Sequence, residues 1–196
     1  DDPGPISSQT EQDTRHFSRF SKLPCFDPSS AQEAYEMIQE AFEYSEKYGT
    51  PVFLRPTTRV CHGYASIMVK DETEYTHHQP EGFIKDSKRW VIFPRLSFMN
   101  HKKIEARNQE LSDIFSSYEK NTIHPSCDAF KDSKKGIATG GISYTYTMET
   151  LKKTGMVKTL KIATPHPFPE KLAVDFLSGL NEVLCLEELD PVIERE

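Results

Sequence analysis

Two stretches of the sequence carry groups of the kind that bind anions. Arg55 and Arg59 follow the short apolar run 52–54, and a guanidinium group holds carboxylate or phosphate oxygens through paired hydrogen bonds. Gly140 and Gly141 come between a predicted strand and a predicted helix, where backbone amides and the helix dipole attract a phosphate group. Neither pattern is specific, because salt bridges would explain the arginines and a tight turn would explain the glycines.

A third polar stretch lies near the start of the chain. Ser7, Ser8, Gln9, Glu11 and Gln12 would offer hydroxyl, amide and carboxylate groups to a ligand at a helix N-terminus. Ser8 and Glu11 also fit the S-x-x-E capping box, in which the two side chains bond to each other's backbone amides. Capping therefore already explains these two residues, and it predicts a helix that begins near Ser8.

Two further pairs of polar residues do not form catalytic pairs. Cys61 and His62 are adjacent, and adjacent residues of an extended chain point to opposite sides, so a nucleophile–base pair is excluded. For the same reason the carboxylates of Glu187 and Glu188, at the end of the last predicted strand, diverge. An interface or solvent role is expected for these two carboxylates.

The composition narrows the class of protein. The chain has 196 residues, of which 36% are hydrophobic, enough to fold by hydrophobic burial alone. Its formal net charge of −6 argues against a nucleic acid partner. No apolar run approaches the ~18 residues that a membrane span requires. The four cysteines form no CxxC pair, so their spacing indicates no metal site and favours a reduced, cytoplasmic setting.

Hydrophobic periodicity predicts two α/β pieces. In the first, a helix at 30–48 starts at a capping box of Ser30 and Glu33 and lies between short strands at 23–26 and 52–54. In the second, strands at 136–139, 159–163 and 182–186 alternate with helices at 142–153 and 169–178, which predicts a parallel sheet. Between the two pieces, a polar connector is predicted to hold an extended segment at 89–93 and a helix at 101–120.

Several motifs resemble a single enzyme family. They are SSQTEQDTR at 7–15, PVFLRPTTRVCH at 51–62, GIATGG at 136–141 and LCLEELDP at 184–191. These runs are similar to the large (alpha) subunit of indolepyruvate:ferredoxin oxidoreductase, one of the 2-oxoacid:ferredoxin oxidoreductases of the thiamine-diphosphate enzyme superfamily. The resemblance covers nearly the whole chain and is weakest between 63 and 125.

The resemblance implies an α/β fold and a domain order. Residues 1–62 would be the C-terminal part of a pyrimidine-binding thiamine domain, 63–125 a polar connector with a helix, and 126–196 a transketolase-C-terminal-like α/β domain with a parallel sheet. It also implies oxidative decarboxylation of aryl-2-oxo acids such as indolepyruvate to aryl-acetyl-CoA. The implied cofactors are thiamine diphosphate, Mg²⁺ and 4Fe-4S clusters, and the implied partners are a smaller beta subunit, ferredoxin and CoA.

The same resemblance assigns candidate binding residues but no catalytic residue and no metal ligand. It places Ser7, Ser8, Gln9, Glu11 and Gln12 on a loop near the thiamine and the substrate. Arg55 and Arg59 are weaker candidates for binding an anionic substrate or CoA.

Three features of the family have no counterpart in this sequence. They are an earlier glutamate that activates the aminopyrimidine, a GDG…N motif that binds the diphosphate and Mg²⁺, and a cysteine-rich cluster segment. An internal fragment that does not turn over alone is therefore expected. The alternative is a non-catalytic α/β module that binds CoA or a protein partner. Half of a thiamine domain would expose an unpaired strand edge, through which a homodimer can form.

Overall fold

The computed structural model describes residues 11–75, 77, 79–80 and 82–196. The helices are α1 (Thr14–Ser21), α2 (Ala31–Tyr48), α3 (Thr58–Cys61), α4 (Ser87–Trp90), α5 (Pro94–Phe115), α6 (Gly141–Thr154), α7 (Glu170–Leu177) and α8 (Val192–Arg195). The strands are β1 (Cys25–Phe26), β2 (Phe53–Leu54), β3 (Thr122–His124), β4 (Lys135–Gly140), β5 (Lys158–Ile162) and β6 (Glu182–Leu186). Short 3₁₀ turns cover Glu72–Glu74 and Asp128–Phe130.

The first α/β piece has the predicted strand–helix–strand order. Strands β1 and β2 pair in parallel, with Cys25 opposite Phe53. The hydroxyl of Ser30 accepts a hydrogen bond from the amide of Glu33 at the start of α2, and Gly49 ends that helix with a φ of 56°. The predicted helix at 30–48 is thereby confirmed. Only half of the predicted capping box forms, because the Glu33 carboxylate bonds to Ser29 and Lys161 instead.

Helix α1 begins at Thr14. Residues 11–13 have no helical structure, and the side chain of Asp13 caps the helix by accepting a hydrogen bond from the amide of Arg15. The predicted helix start near Ser8 lies outside the described residues. The described helix begins directly after Asp13, a residue type that is favoured at this capping position.

The second piece is a four-stranded sheet in the order β3-β5-β4-β6. Strands β4, β5 and β6 are parallel, as predicted, and β3 is antiparallel to β5. The sheet is therefore mixed rather than wholly parallel. Strand β3 was missed because three residues are too short to show an alternating pattern.

The region between the two pieces differs from its prediction. The first two residues of the segment expected to be extended, 89–93, form the end of helix α4, whose start is capped by the side chain of Asp86. Helix α5 starts at Pro94 rather than near 101, since proline fits the first helical turn, and it ends at Phe115. Strand β3 lies before residue 126 and pairs with the second sheet. The domain boundaries at 62 and 125 remain predictions.

Two hydrophobic cores hold the chain together. The first joins β1, α2 and the end of α5, and its buried members are Phe26, Met37, Ala41, Leu111, Phe115 and Ala163. The second lies between the four-stranded sheet and helices α7 and α8, and its buried members are Ala138, Leu160, Ile162, Phe176 and Ile193. Ala163 directly follows β5, so the end of that strand contributes to both halves. The halves also share backbone hydrogen bonds from Cys25 to His166 and from Asp27 to Ala163.

In the described part of the chain, no helix is both long and apolar enough to cross a membrane.

Candidate functional site

Six charged side chains meet where strands from both halves end. Asp27 follows β1, Arg55 follows β2, and Glu187 and Glu188 follow β6, while Asp13 and Arg15 lie at the start of α1. Ligands of α/β proteins usually bind at the carboxyl ends of parallel strands. We call Asp13, Arg15, Asp27, Arg55, Glu187 and Glu188 the carboxyl-edge cluster.

Arg15 is the centre of the carboxyl-edge cluster. Its guanidinium donates to both carboxylate oxygens of Asp13, at 2.6–3.2 Å, and to Oε2 of Glu187 at 2.8 Å. It also donates to the backbone carbonyls of Glu188 and Asp190, each at 2.8 Å. Although burial alone would raise the pKa of Asp13, the bonds to Arg15 lower it overall. Arg15 therefore fixes the chain after β6 against the start of α1.

Glu187 is fully engaged in local structure. Its carboxylate accepts hydrogen bonds from the backbone amides of Val192, Ile193 and Glu194 at 2.7–3.0 Å, which caps the start of α8. With the bond from Arg15, both of its oxygens are used. The expected solvent or interface role for Glu187 is therefore wrong, because its side chain is only 5% exposed.

Asp27 and Arg55 form a buried ion pair beside the glycine turn. Nη1 of Arg55 donates to both oxygens of Asp27, at 3.1 and 3.2 Å. Burial raises the pKa of Asp27, and Arg55 opposes that shift. A Cβ atom built on Gly141 would lie 3.0 Å from each carboxylate oxygen of Asp27. Asp27 thus occupies the space beside the first residue of α6, where a phosphate group would be expected to bind.

The sequence was then compared with known proteins. No model of a known protein family matches the chain. Three relatives are called indolepyruvate oxidoreductase subunit IorA. They come from Methanothermobacter thermautotrophicus (39% identical), Pyrococcus abyssi (38%) and Thermococcus kodakarensis (37%), and each match covers 100% of this chain. The chain belongs to the IorA family. It spans about 30% of the length of these relatives, so it corresponds to one segment of such a subunit.

The structure places the predicted site residues of this IorA segment in different surroundings. Ser7, Ser8 and Gln9 lie outside the described residues, and Glu11 and Gln12 are exposed just before α1. Arg55 is buried and paired with Asp27, whereas Arg59 is exposed on α3. Their roles in binding cofactor or substrate remain predictions.

Three members of the carboxyl-edge cluster were not assigned a role from the sequence: Asp13, Arg15 and Asp27. Glu188, for which an interface or solvent role was expected, is half-buried. Asp27 directly follows a predicted strand, and that position is the signal that could have identified it. No local pattern indicates that Arg15 bonds to residues more than 170 positions away. That contact depends on how the two halves pack together.

A possible metal-ligand group lies at the rim of the cluster. One ligand atom each from Asp13, His16 and Asp190 lies within 4.8 Å of the other two. However, the carboxylate of Asp13 already binds the guanidinium of Arg15. The carboxylate of Asp190 lies 2.7 Å from Nε2 of His16, within hydrogen-bond distance. The positive charge of Arg15 disfavours a second cation at this place.

An open apolar groove of about 410 Å³ lies beside β6. Ile137, Tyr146, Leu184 and Leu186 contribute apolar surface to it, and Glu187 lines it where it adjoins the carboxyl-edge cluster. The groove offers apolar contact, and neither it nor the glycine turn filled by Asp27 provides the basic surface that the phosphates of CoA require.

Proposed function

We propose that the chain is part of the alpha subunit of a thiamine-diphosphate-dependent oxidoreductase. This enzyme would oxidatively decarboxylate aryl-2-oxo acids such as indolepyruvate, form aryl-acetyl-CoA and pass the electrons through 4Fe-4S clusters to ferredoxin. The observation that carries the proposal is the similarity to IorA subunits over the whole chain, at 33–39% identity. The name of these relatives as subunits supports a complex with a partner subunit. In our proposal this partner is a smaller beta subunit and the complex is cytoplasmic.

The described residues do not fit the diphosphate and Mg²⁺ end of the cofactor. The space beside the glycine turn holds the carboxylate of Asp27, and the carboxylate of Asp13 is neutralised by Arg15. We therefore assign the binding of diphosphate and metal to parts of the enzyme other than these residues. Buried acceptor and hydroxyl groups at the carboxyl edge, Oε2 of Glu188 and Oγ1 of Thr57, suit the polar heterocycle of the cofactor or the substrate instead.

In this proposal the chain binds and orients rather than performing the chemical steps. Thiamine diphosphate, when bound, supplies the electron sink for decarboxylation. Arg15 holds the turn after β6 in place, and the pair of Asp27 and Arg55 holds the start of α6 against the end of β1. The loop that contains Ser7, Ser8, Gln9, Glu11 and Gln12 is proposed to lie near the thiamine, with Arg59 available to an anionic group.

The experiment uses the complete alpha subunit assembled with its smaller partner subunit. We expect indolepyruvate to be oxidised with CoA and a low-potential electron acceptor, with activity lost on removal of thiamine diphosphate and restored by its addition. Pyruvate serves as the control 2-oxo acid without an aryl group. Absence of CoA-dependent turnover with every aryl-2-oxo acid would refute the proposal.

The role of the early loop is tested separately in the same assembly. Replacing both Gln9 and Glu11 by alanine should reduce turnover of indolepyruvate, whereas Glu46→Ala, at an exposed position of α2, should not. Normal turnover in the Gln9/Glu11 double variant would show that this loop does not contribute to the site.

A further inference from the structure

Glu188 differs from every other carboxylate of the carboxyl-edge cluster. Asp13, Asp27 and Glu187 are each held by arginine side chains or backbone amides. Oε2 of Glu188 is buried, yet it accepts no hydrogen bond from any residue in the described part of the chain. Leaving such an acceptor unsatisfied destabilises the fold, and buried polar groups are nearly always bonded.

The backbone around Glu188 is fixed in an unfavourable conformation. Its carbonyl accepts a hydrogen bond from Arg15 at 2.8 Å, and the next residue, Leu189, has a φ of 73°. A left-handed conformation is sterically unfavourable for a leucine, because its Cβ atom approaches the following carbonyl oxygen. Arg15 also binds the carbonyl of Asp190, so it restrains both sides of this turn. Backbone strain that the surrounding structure maintains is found mainly at functional sites.

The side chain of Glu188 lies near the ends of strands from both halves. Four charged groups act on its carboxylate. Asp27 follows β1, Arg55 follows β2, Arg59 lies on α3 and Arg15 lies on α1. Burial raises the pKa of the Glu188 carboxyl, and the arginines oppose that shift. Two fully buried hydroxyls also lack hydrogen-bond partners among the described residues: that of Thr57, three residues after β2, and that of Thr139, near the end of β4.

We propose that Glu188 is a binding residue that accepts a hydrogen bond from an N–H group of the cofactor or the substrate. The inference rests on the proposed function, which supplies two candidate donors: the amino group of the thiamine pyrimidine and the indole N–H of indolepyruvate. A bound N–H group would satisfy Oε2, and the hydroxyl of Thr57 lies at the same edge of the fold. In this inference the unsatisfied carboxylate of Glu188 lowers the stability of the free protein and serves ligand binding.

The test compares Glu188→Ala and Glu188→Gln in the assembled enzyme, with Glu182→Gln as a matched control. Glu182 is an exposed glutamate at the other end of β6. We expect Glu188→Ala to lower kcat/KM or thiamine diphosphate affinity at least tenfold, and Glu188→Gln, which keeps an acceptor oxygen, to lower it less. The thermal midpoint should stay the same or rise in both variants, because an unsatisfied buried carboxylate is removed.

Two substrates separate the two donors. Phenylpyruvate has no ring N–H, so a loss of kcat/KM confined to indolepyruvate would identify the substrate as the donor. A loss with both substrates, together with weaker thiamine diphosphate binding in calorimetry, would identify the cofactor.

Three results would overturn the inference: unchanged kinetics and affinity in Glu188→Ala, equal losses in the Glu182→Gln control, or a thermal midpoint lowered by several degrees. The last would mean that Glu188 is bonded within the protein. If the wild-type enzyme shows no turnover, the proposed function fails, and calorimetry with thiamine diphosphate and indolepyruvate decides the inference. Binding at least tenfold weaker in Glu188→Ala supports it, and equal or absent binding refutes it.

Discussion

The carboxylate of Asp27 lies against Gly141, the first residue of α6. A Cβ atom on Gly141 would be 3.0 Å from both carboxylate oxygens, and the backbone there has a φ of 50°. The partial positive charge of a helix N-terminus stabilises a buried anion, and Arg55 supplies a full positive charge on the same carboxylate. The glycine turn therefore joins the two halves through a side chain of the protein itself.

Substitution of Gly141 by alanine should destabilise the protein more than the same change at Gly49. Both glycines have a positive φ, 50° and 56°, so each alanine costs about 1 kcal/mol of backbone strain. Only Gly141 has a neighbour in the way, since a Cβ on Gly49 meets nothing within 4 Å. We expect Gly141→Ala to lower the free energy of unfolding by about 1–2 kcal/mol more than Gly49→Ala, measured by urea unfolding. Equal losses would show that Asp27 moves aside freely.

Replacement of Arg15 by glutamine should be severely destabilising. The change leaves the carboxylates of Asp13 and Glu187, which are 6% and 5% exposed, without their shared cation. Breaking a buried ion pair in this way costs about 3–5 kcal/mol. Arg19 serves as the control because it pairs with Glu196 while 53% exposed, and Arg19→Gln should cost less than about 1 kcal/mol. Similar unfolding free energies for the two variants would contradict the central role of Arg15.

Elements with strong local signals are predictable from the sequence. Ser30 and Gly49 mark the two ends of α2, and the three parallel strands of the second sheet follow their alternating order with short helices. Strand β3 and helix α4 are not predictable in this way. Each has four residues or fewer, which is too short for hydrophobic periodicity to show.

The candidate site is less predictable than the fold. Arg55 was identified because it follows a strand, but its partner Asp27 was not. The side chains of Glu187 and Glu188 were expected to diverge. The sequence does not indicate that Glu187 caps α8, nor that Oε2 of Glu188 lacks a hydrogen-bond donor among the described residues. These assignments depend on the packing of α1 against the chain after β6, which joins residues far apart in the sequence.

The ion pair of Glu33 and Lys161 links α2 to β5 and should show strong coupling in a double-mutant cycle. Lys161→Met leaves the largely buried Glu33 with Ser29 as its one remaining hydrogen-bond partner in the described part of the chain, so we expect a loss of about 2–4 kcal/mol. Adding Glu33→Gln should recover part of that loss, with a coupling energy of about 1–3 kcal/mol measured by urea unfolding. If the effects of the two changes were additive, the coupling energy would be zero and the ion pair would not stabilise the fold.

The same pair should affect stability at acid pH. Burial alone would raise the pKa of Glu33, but Lys161 lowers it overall, below its ordinary value of 4.5. A carboxyl with a depressed pKa stabilises the fold above its ordinary pKa, and this contribution is lost as the pH falls through the lower value. In Lys161→Met, the free energy of unfolding should therefore fall less steeply below about pH 4.5 than it does in the wild type. Lys153→Met, at an exposed lysine of α6, is the control and should leave the profile unchanged.

His166 should make the free energy of unfolding fall as the pH is lowered from about 6.5 to about 4. Burial, together with the nearby charges of Arg19 and Lys22, lowers the pKa of His166 from 6.5 to about 4. The unfolded chain therefore binds a proton below pH 6.5 that the folded protein does not take up until about pH 4, so stability falls as the pH is lowered through this range. The expected loss is about 2–3 kcal/mol. His166→Gln should flatten the profile of unfolding free energy between these pH values, whereas His101→Gln, at a side chain that is 59% exposed, should not. An unchanged slope in His166→Gln would show that His166 takes up its proton equally well in the folded protein.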